Sequence, residues 1–208
     1  MICCYQSRAL SADMTLPWKS LAVALSSASL LMGTQAIAGA PPAQVFELSI
    51  SEKDVVAAGQ TWCAALVDIS ETFHSKGAAA AKAKAKAVID SAYGFQEGPI
   101  AFKPTLASGE LTFRNTRQGA LDYFVGPDPA FPAGTGFATY KRWTDCTVQE
   151  DVIQLFGPVA NSMGKVSITD EQGTVTTVDK TWTFWQPKAG VMRIVLHHSS
   201  IPFEAPKQ

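Results

Sequence analysis

Helix-forming and strand-forming patterns occupy separate parts of this 208-residue chain, and that segregation limits the possible folds more than any other feature. Two helical patterns lie within residues 51–93 and a shorter one covers 117–124, whereas the patterned segments after residue 136 read as strands. Helices that precede a run of antiparallel strands usually pack together on one face of the sheet. The sequence therefore predicts an α+β fold, with N-terminal helices on a curved antiparallel sheet.

The first helical pattern carries clear start and stop signals. Ser51 can accept a hydrogen bond from a free N–H of the first turn, and Asp54 three residues later completes a weaker form of the capping box. Gly77 ends the helix, and a second, Ala-rich helix is predicted over 78–93, before Gly94. The apolar stripe of the first helix consists of Val55, Trp62, Leu66, Ile69 and Phe73.

Four strands are predicted in the second half of the chain, after a short extended piece over 100–106 that Pro104 interrupts. Glycine-containing turns at 170–173 and 187–190 separate the last three strands, as in β-hairpins. The predicted strands are 139–156 (bent or interrupted), 159–169, 174–186 and 191–200.

The N-terminal segment has the features of a secretory signal. Lys19 precedes a short apolar run over 21–32, and small residues over 36–40 include an Ala-x-Ala cleavage pattern. We expect a signal peptide over residues 1–38, with Met14 as a second possible start, and export across the inner membrane to the periplasm. The run is too short to span a bilayer stably, so no membrane attachment is expected after cleavage.

The remaining chain is long enough for one domain. We assign 39–50 as a linker, 51–203 as a single domain and 204–208 as a tail. The formal net charge is −1 and no basic stripe is present, which argues against nucleic acid as a partner. Cys63 and Cys146 remain after cleavage; an oxidising compartment permits a disulfide, and two buried thiols are the alternative.

The usual catalytic motifs are missing from the sequence. His197 and His198 are neighbours in a predicted strand and should point to opposite faces, and His74 has no second ligand at metal-binding spacing. There is no nucleophile elbow, phosphate loop or dinucleotide fingerprint. The sequence therefore predicts no closed zinc site and no familiar nucleophilic triad.

The last strand combines an apolar face with a polar end. One parity carries Met192, Ile194 and Leu196 before it reaches His198 and Ser200. Because alternate residues of a strand share a face, this parity should point inward and place His198 and Ser200 at the polar end of a pocket. An ordinary strand end, where polar residues meet water, is the alternative.

Several motifs in order along the chain resemble the iota-class carbonic anhydrase family. The similarity covers residues 51 to 203, nearly the whole predicted domain, and its most specific motif is the terminal His-His-Ser-Ser. Ile201 departs mildly from the family, where Leu is common. The segments that carry the resemblance are 93–96 (Tyr-Gly-Phe-Gln), 102–107 (Phe-Lys-Pro-Thr-Leu-Ala), 119–126 (Gly-Ala-Leu-Asp-Tyr-Phe-Val-Gly), 136–138 (Gly-Phe-Ala) and 196–202 (Leu-His-His-Ser-Ser-Ile-Pro).

The resemblance implies a cone-shaped, cystatin-like fold, also found in nuclear transport factor two, and the reversible hydration of carbon dioxide to bicarbonate. It implies a homodimer and a metal-free site, with zinc or manganese as the alternative. It assigns pocket roles to Thr105 and Tyr123, with His197, His198, Ser199 and Ser200 as the closing set. Strand parity favours His198 as general base and Ser200 as a hydroxyl donor.

A hydration pocket should be mostly apolar, with a few convergent donors that stabilise the charge developing on the carbon dioxide oxygens. Trp62, Phe102, Phe124 and Trp182 are candidates for the aromatic walls, and ordinary core packing is the favoured alternative for most of them. A non-catalytic ligand-binding or assembly module of the same fold is the alternative function. A hydrolase or isomerase using Asp122 or Asp179 is a third, although parity places Asp179 on the face opposite Trp182.

Overall fold

The computed structural model describes residues 47–126 and 136–205, which lie in one compact unit, Gln44–Gln208. The predicted signal peptide, most of the linker and the last three residues lie outside the described residues. None of the helices in the described ranges is long and apolar enough to cross a bilayer.

Three α-helices form where helical patterns were predicted. They are α1 (Glu52–Lys76), α2 (Ala78–Ala92) and α3 (Arg117–Val125), and a single 3-10 turn covers Gly109–Leu111. The predicted capping box is present: Ser51 accepts the N–H of Asp54 at 3.3 Å, and its own N–H donates to the Asp54 carboxylate at 2.9 Å. Such caps contribute about 1 kcal/mol each to helix stability.

In the part of the chain that the structure describes, five strands form one open sheet in the order β1-β5-β4-β3-β2. The pairs β2–β3, β3–β4 and β4–β5 are antiparallel, whereas the short β1 adds to the edge of β5 in parallel. This confirms the α+β architecture and adds a parallel edge strand that the sequence did not predict. Residues 139–142 form a turn, so β2 begins later than predicted. The strands are β1 (Ala101–Lys103), β2 (Trp143–Phe156), β3 (Val159–Asp170), β4 (Val175–Lys188) and β5 (Val191–Ser200).

The helices cover one face of the sheet, which we call the inner face. Trp62 of α1 lies against Trp182 of β4, with ring centroids 5.7 Å apart. The apolar stripe of α1 is buried as predicted, apart from the partly buried Phe73. The sheet contributes a buried inner-face row from β3 and β4 that comprises Ala160, Val166, Ile168, Val178, Trp182 and Phe184.

A β-bulge at Val195 changes which residues of β5 face inward. Phe184 of β4 pairs with Ile194, but the preceding Thr183 pairs with Leu196, so Val195 is an extra residue. An inserted residue reverses the facing of every residue after it. The predicted parity is therefore correct up to Ile194 and wrong beyond it.

The corrected inner residues at the end of β5 are His197 and Ser199, which are 2 % and 3 % exposed. His198 is exposed and Ser200 is half-buried on the outer face. The prediction that His198 and Ser200 point into the interior was wrong because a regular alternation cannot reveal a bulge.

The segment after α2 packs closely beside this bulge. The N–H of Gly94 donates to the carbonyl of Ile194 at 3.0 Å, and Tyr93 forms an isolated parallel bridge to Ile194. A Cβ at position 94 would lie 3.2 Å from the Val195 side chain. Glycine at this position therefore lets the chain approach β5 where the extra residue protrudes.

Cys63 of α1 and Cys146 of β2 form a disulfide, with Cα atoms 5.2 Å apart. Of the two alternatives for these cysteines, the structure has the bridge. It links the long first helix to the edge of the sheet opposite β1, across 83 residues of sequence. Bridges that close loops of this length typically stabilise a domain by about 2–4 kcal/mol.

Candidate active site

Thr105 and Ser199 meet at the polar end of the inner face. The Thr105 hydroxyl donates to Ser199 Oγ at 2.7 Å, which connects the segment after β1 to the end of β5. Lys103 donates to the backbone carbonyl of Ser199 at 3.3 Å and holds the same strand end. The two hydroxyls are therefore preorganised as a pair before any ligand arrives.

Tyr123 of α3 is 2 % exposed and lies beside Thr105. Burial raises the pKa of its phenol, while hydrogen bonds from the backbone N–H groups of Leu106 and Thr105 and the positive charge of Arg114 act in the opposite direction. The phenol thus stays protonated over the physiological range, and its O–H can donate. This places Tyr123 beside Thr105, as the resemblance implied.

His197 is bonded through both ring nitrogens. Nδ1 lies 2.9 Å from the Tyr93 hydroxyl oxygen and Nε2 lies 2.8 Å from Nζ of Lys180. The indole N–H of Trp62 donates to the same Tyr93 oxygen at 3.0 Å. Burial, followed by the nearby charges of Lys180 and His198, holds the pKa of His197 well below its usual value, so the ring is neutral near pH 7.

Aromatic rings enclose the imidazole of His197. Their centroids lie 4.6 Å (Phe102), 5.6 Å (Trp62) and 5.9 Å (Trp182) from that of the histidine. Phe124 packs against Trp62 and Phe102, with centroids 6.4 Å and 6.0 Å away. All four aromatic residues predicted as walls therefore surround the buried polar groups.

Lys180 is buried on the inner face of β4, where it pairs directly across from Ser199. It is only 4 % exposed. Its Nζ lies 4.4 Å from the ring centroid of Trp62 and 5.3 Å from that of Trp182. Burial lowers the pKa of this ammonium group to about 7, whereas the two indole faces favour its charged form.

Counting hydrogens shows how the protonation state of Lys180 is linked to His197. If the Tyr93 O–H donates to Nδ1, the histidine hydrogen is on Nε2 and donates to an uncharged Lys180 amine. If Lys180 is an ammonium, it donates to Nε2, and the hydrogen on Nδ1 then points at the Tyr93 oxygen. The Tyr93 O–H then lacks an acceptor among the described residues. The uncharged amine therefore satisfies more of this network.

Sequence reasoning identified Thr105, Tyr123 and the wall residues, and missed Lys180 and Tyr93. Lys180 did carry a signal, because it shares its strand parity with Val178, Trp182 and Phe184. A lysine on the face of a strand that packs against the core has its amine buried, unless the strand end is exposed to solvent. Tyr93 belonged to a motif of the resemblance but was given no role.

The alternative acids lie elsewhere. Asp122 is buried on α3 and accepts a hydrogen bond from Gln118 at 3.2 Å. Asp179 is half-buried on the outer face, as parity predicted. Glu150 of β2 faces inward and accepts a hydrogen bond from Ser162; burial raises the pKa of its carboxyl.

Within residues 47–126 and 136–205, no three His, Cys, Asp or Glu side chains cluster closely enough to hold a metal ion. The donor atoms that do converge are hydroxyls, an imidazole with both nitrogens engaged and an amine. This donor set suits hydrogen bonding and proton transfer at the site.

Comparison with known proteins agrees with this donor set. The metal-independent carbonic anhydrase family matches residues 53–201. A metal-independent carbonic anhydrase from Nostoc sp. is 53% identical over 156 residues, which cover 75% of this chain and 76% of that protein. The crystal structure of an iota-carbonic anhydrase from a cyanobacterium, complexed with bicarbonate, aligns with a TM-score of 0.75 at 50% identity, over 79% of this chain and 100% of that chain.

A part-buried hydroxyl pair at the edge of a curved sheet under helices, together with these matches, defines a carbonic anhydrase of the class that uses no metal. The chain belongs to the metal-independent carbonic anhydrase family. Its enzyme class is therefore that of the carbonic anhydrases, which are lyases, and the resemblance drawn from the sequence is confirmed.

The buried amine of Lys180 should make stability depend on pH. An unfolded lysine holds its proton up to about pH 10.4, whereas the folded Lys180 releases it near pH 7. Between these values the unfolded chain binds more protons, so its free energy of unfolding should rise with pH by up to about 1.4 kcal/mol per pH unit.

Urea unfolding between pH 7 and 9 tests this for the wild type, Lys180→Met and Lys165→Met. The exposed Lys165 controls for the loss of a charge. The wild type and Lys165→Met should share the rise, and Lys180→Met should lose it. Parallel curves for all three proteins would contradict a neutral buried amine.

Proposed function

We propose that this protein hydrates carbon dioxide reversibly to bicarbonate with the hydroxyls of Thr105, Tyr123 and Ser199, close to the neutral imidazole of His197. The observation that carries the proposal is the 2.7 Å bond between Thr105 and Ser199, set at the edge of an aromatic enclosure. Two hydroxyls held against each other, with a phenol beside Thr105, form a compact set of donors next to the aromatic rings.

The reaction requires stabilisation of charge on oxygen. When water adds to the carbon atom, one pair of C=O π electrons moves onto an oxygen, and the water gives up a proton. Hydroxyl donors aimed at that oxygen lower the barrier because they need little reorganisation at the moment of reaction. The rings of Phe102 and Trp182 keep the surroundings apolar, which strengthens those hydrogen bonds and suits the apolar substrate.

The corrected facing of β5 changes the assignment of roles. We assign the hydroxyl role to Ser199 instead of Ser200, and the imidazole role to His197 instead of His198, because the first of each pair is buried against the other groups. His197 has no free ring nitrogen, so its role is to orient its neighbours and to relay protons between Tyr93 and Lys180.

Stopped-flow measurement of carbon dioxide hydration on metal-stripped protein tests the activity. We expect turnover to persist after chelation and to be unchanged by added zinc or manganese. Activity that appears only with added metal would overturn the metal-free mechanism. No activity under any of these conditions would favour the ligand-binding or assembly module.

The adjacent serines provide a matched pair of variants. Ser199→Ala should lower kcat/KM for hydration by about 10²-fold, the usual effect of removing one donor to a developing oxyanion. Ser200→Ala removes the same atom from the other face of the strand and should leave the rate within about twofold. Equal losses in the two variants would contradict the assignment, and circular dichroism controls for folding.

We infer that the protein is a homodimer formed through the outer face of the sheet. Val152 and Met163 pair there across β2 and β3 and are 48% and 55% exposed, and Phe156 at the end of β2 is 59% exposed. A patch of this kind on a sheet face is usually covered by a partner. Sedimentation tests this: the wild type should sediment as a dimer, and Met163→Lys, which places a charge on the patch, should weaken the dimer. A monomeric wild type would contradict the inference.

We infer that the protein is exported and acts in the periplasm. The Lys19-flanked apolar segment and the Cys63–Cys146 bridge support this, because disulfides persist mainly in oxidising compartments. Cell fractionation should recover a protein that lacks residues 1–38 in the periplasmic fraction. Uncleaved protein in the cytoplasm would contradict export.

A further inference from the structure

The proposed reaction releases a proton, and the hydroxyl pair cannot keep it. Alcohol and phenol groups are poor proton acceptors at neutral pH, and burial raises the pKa of Tyr123 further. An efficient acceptor should lie near the site and should change charge close to the working pH. The acceptor must therefore be found among the titratable groups of the inner face.

Three such groups lie on the inner face near Ser199. His197 has both nitrogens in hydrogen bonds and stays neutral. Glu150 is separated from Ser199 by two strands, which contribute Gly164 and Lys180 in register, and its carboxylate accepts a hydrogen bond from Ser162. Lys180 lies directly across from Ser199, and side chains in such cross-strand pairs are close neighbours.

We propose that Lys180 is a catalytic residue of this reaction: its Nζ, held by His197 and placed across from Ser199, takes the proton that the attacking water loses. The inference rests on the hydration function proposed above. The His197 hydrogen first leaves Nε2, so that the ring carries its hydrogen on Nδ1 and the lone pair of Nζ is released. The water oxygen then forms a bond to carbon, an O–H bond of the water breaks, and the proton moves to that lone pair. In the reverse direction the ammonium protonates the hydroxyl of bicarbonate, which leaves as water.

The surroundings of Lys180 hold partners for both of its charge states, although the ammonium form leaves the Tyr93 O–H without its acceptor. The uncharged amine accepts the hydrogen on Nε2 of His197 in the arrangement that satisfies Tyr93. The ammonium form donates to Nε2 and lies 4.4 Å from the Trp62 ring centroid and 5.3 Å from that of Trp182. A shift of the histidine hydrogen from one nitrogen to the other connects the two arrangements, so proton uptake needs no movement of the backbone.

Within the described ranges, the titratable groups that face Lys180 come from β5, from the end of α2 and from β2. Strand β5 contributes His197 on the inner face and His198 on the outer face. The residue after α2 contributes Tyr93. Trp62 of α1 contributes no titratable group. Glu150 of β2 lies beyond Gly164, which has no side chain, and its carboxylate is bonded to Ser162. Among the described residues, the other groups that could accept a proton are therefore Glu150 and, on the outer face, His198.

The pH dependence of hydration distinguishes these acceptors. Only the uncharged amine accepts a proton, so kcat/KM for hydration should rise with pH through about 7 in the wild type and then level off. Lys180→Met should lower kcat/KM by about 10²-fold or more and abolish this rise. Glu150→Gln and Lys165→Met should keep it. A rise that survives in Lys180→Met, or that is lost in Glu150→Gln, overturns the proposal.

Chemical rescue separates proton transfer from a structural role. Lys180→Ala removes the amine, and small amines or imidazoles of graded basicity, corrected for the uncatalysed reaction, should restore hydration in order of their basicity. Ser199→Ala should not respond to the same additives. The bases are tested up to about 0.1 M, a typical buffer concentration. If the Lys180→Ala protein is folded and none of them restores its hydration activity, Lys180 is a structural residue.

Two further measurements keep the test decisive if small residues at position 180 prevent folding. Lys180→Arg retains a positive charge and a donor for Nε2 but cannot accept a proton, so it should fold and be inactive. In the wild type, NMR titration of the lysine Cε signals should show one lysine that changes charge near pH 7. A Lys180 that stays charged above pH 9 would refute the proposal without any variant.

The wild-type control distinguishes the two levels of inference. If metal-stripped wild type does not hydrate carbon dioxide, the proposed function fails, and the role of Lys180 fails with it. If the wild type is active and Lys180→Met matches it in rate and pH profile, only the role of Lys180 is refuted.

Discussion

One inserted residue in the last strand determines which side chains of this protein can take part in chemistry. Without the bulge at Val195, the inner face of β5 would continue from Ile194 to Leu196, His198 and Ser200. With it, His197 and Ser199 are brought beside Trp182 and Lys180 of β4. Because the facing of a whole strand end depends on this insertion, the contacts that support the bulge are part of the site. The close approach of Gly94 and the parallel pairing of β1 provide that support.

The inner face combines a cluster of packed aromatic rings with a buried network of polar groups, two features that are seldom found together. An aromatic cluster of this size favours dry packing, and each well-oriented ring pair contributes about 0.5–1.5 kcal/mol. An amine, an imidazole and several hydroxyls within it would be destabilising unless they bonded one another. The chain from Trp62 through Tyr93 and His197 to Lys180 provides those bonds. The indole N–H of Trp182 is buried without an acceptor among the described residues.

The sequence predicted the elements well because their signals are local. Capping by Ser51, the stripe of α1 and the turns between strands all depend on residues a few positions apart. The parallel edge strand and the disulfide depend on long-range geometry, and spacing left both undecided. The assignment of Thr105 and Tyr123 to the pocket came from resemblance, not from periodicity. The facing of His197 could not be obtained from alternation, since a bulge leaves no fixed sequence mark.

Lys180 illustrates a different limit of sequence reasoning. Its inward parity was readable, but its significance depends on which groups lie opposite, and these come from β5, α1 and the end of α2. A metal enzyme can acidify its water with the ion, so its proton acceptor need not be close. Without an ion, a base near the reacting water must take the proton while the donors stabilise the oxyanion. A lysine whose pKa burial lowers to about 7 meets that need, because it offers a lone pair near neutral pH and its charged form lies beside two indole rings.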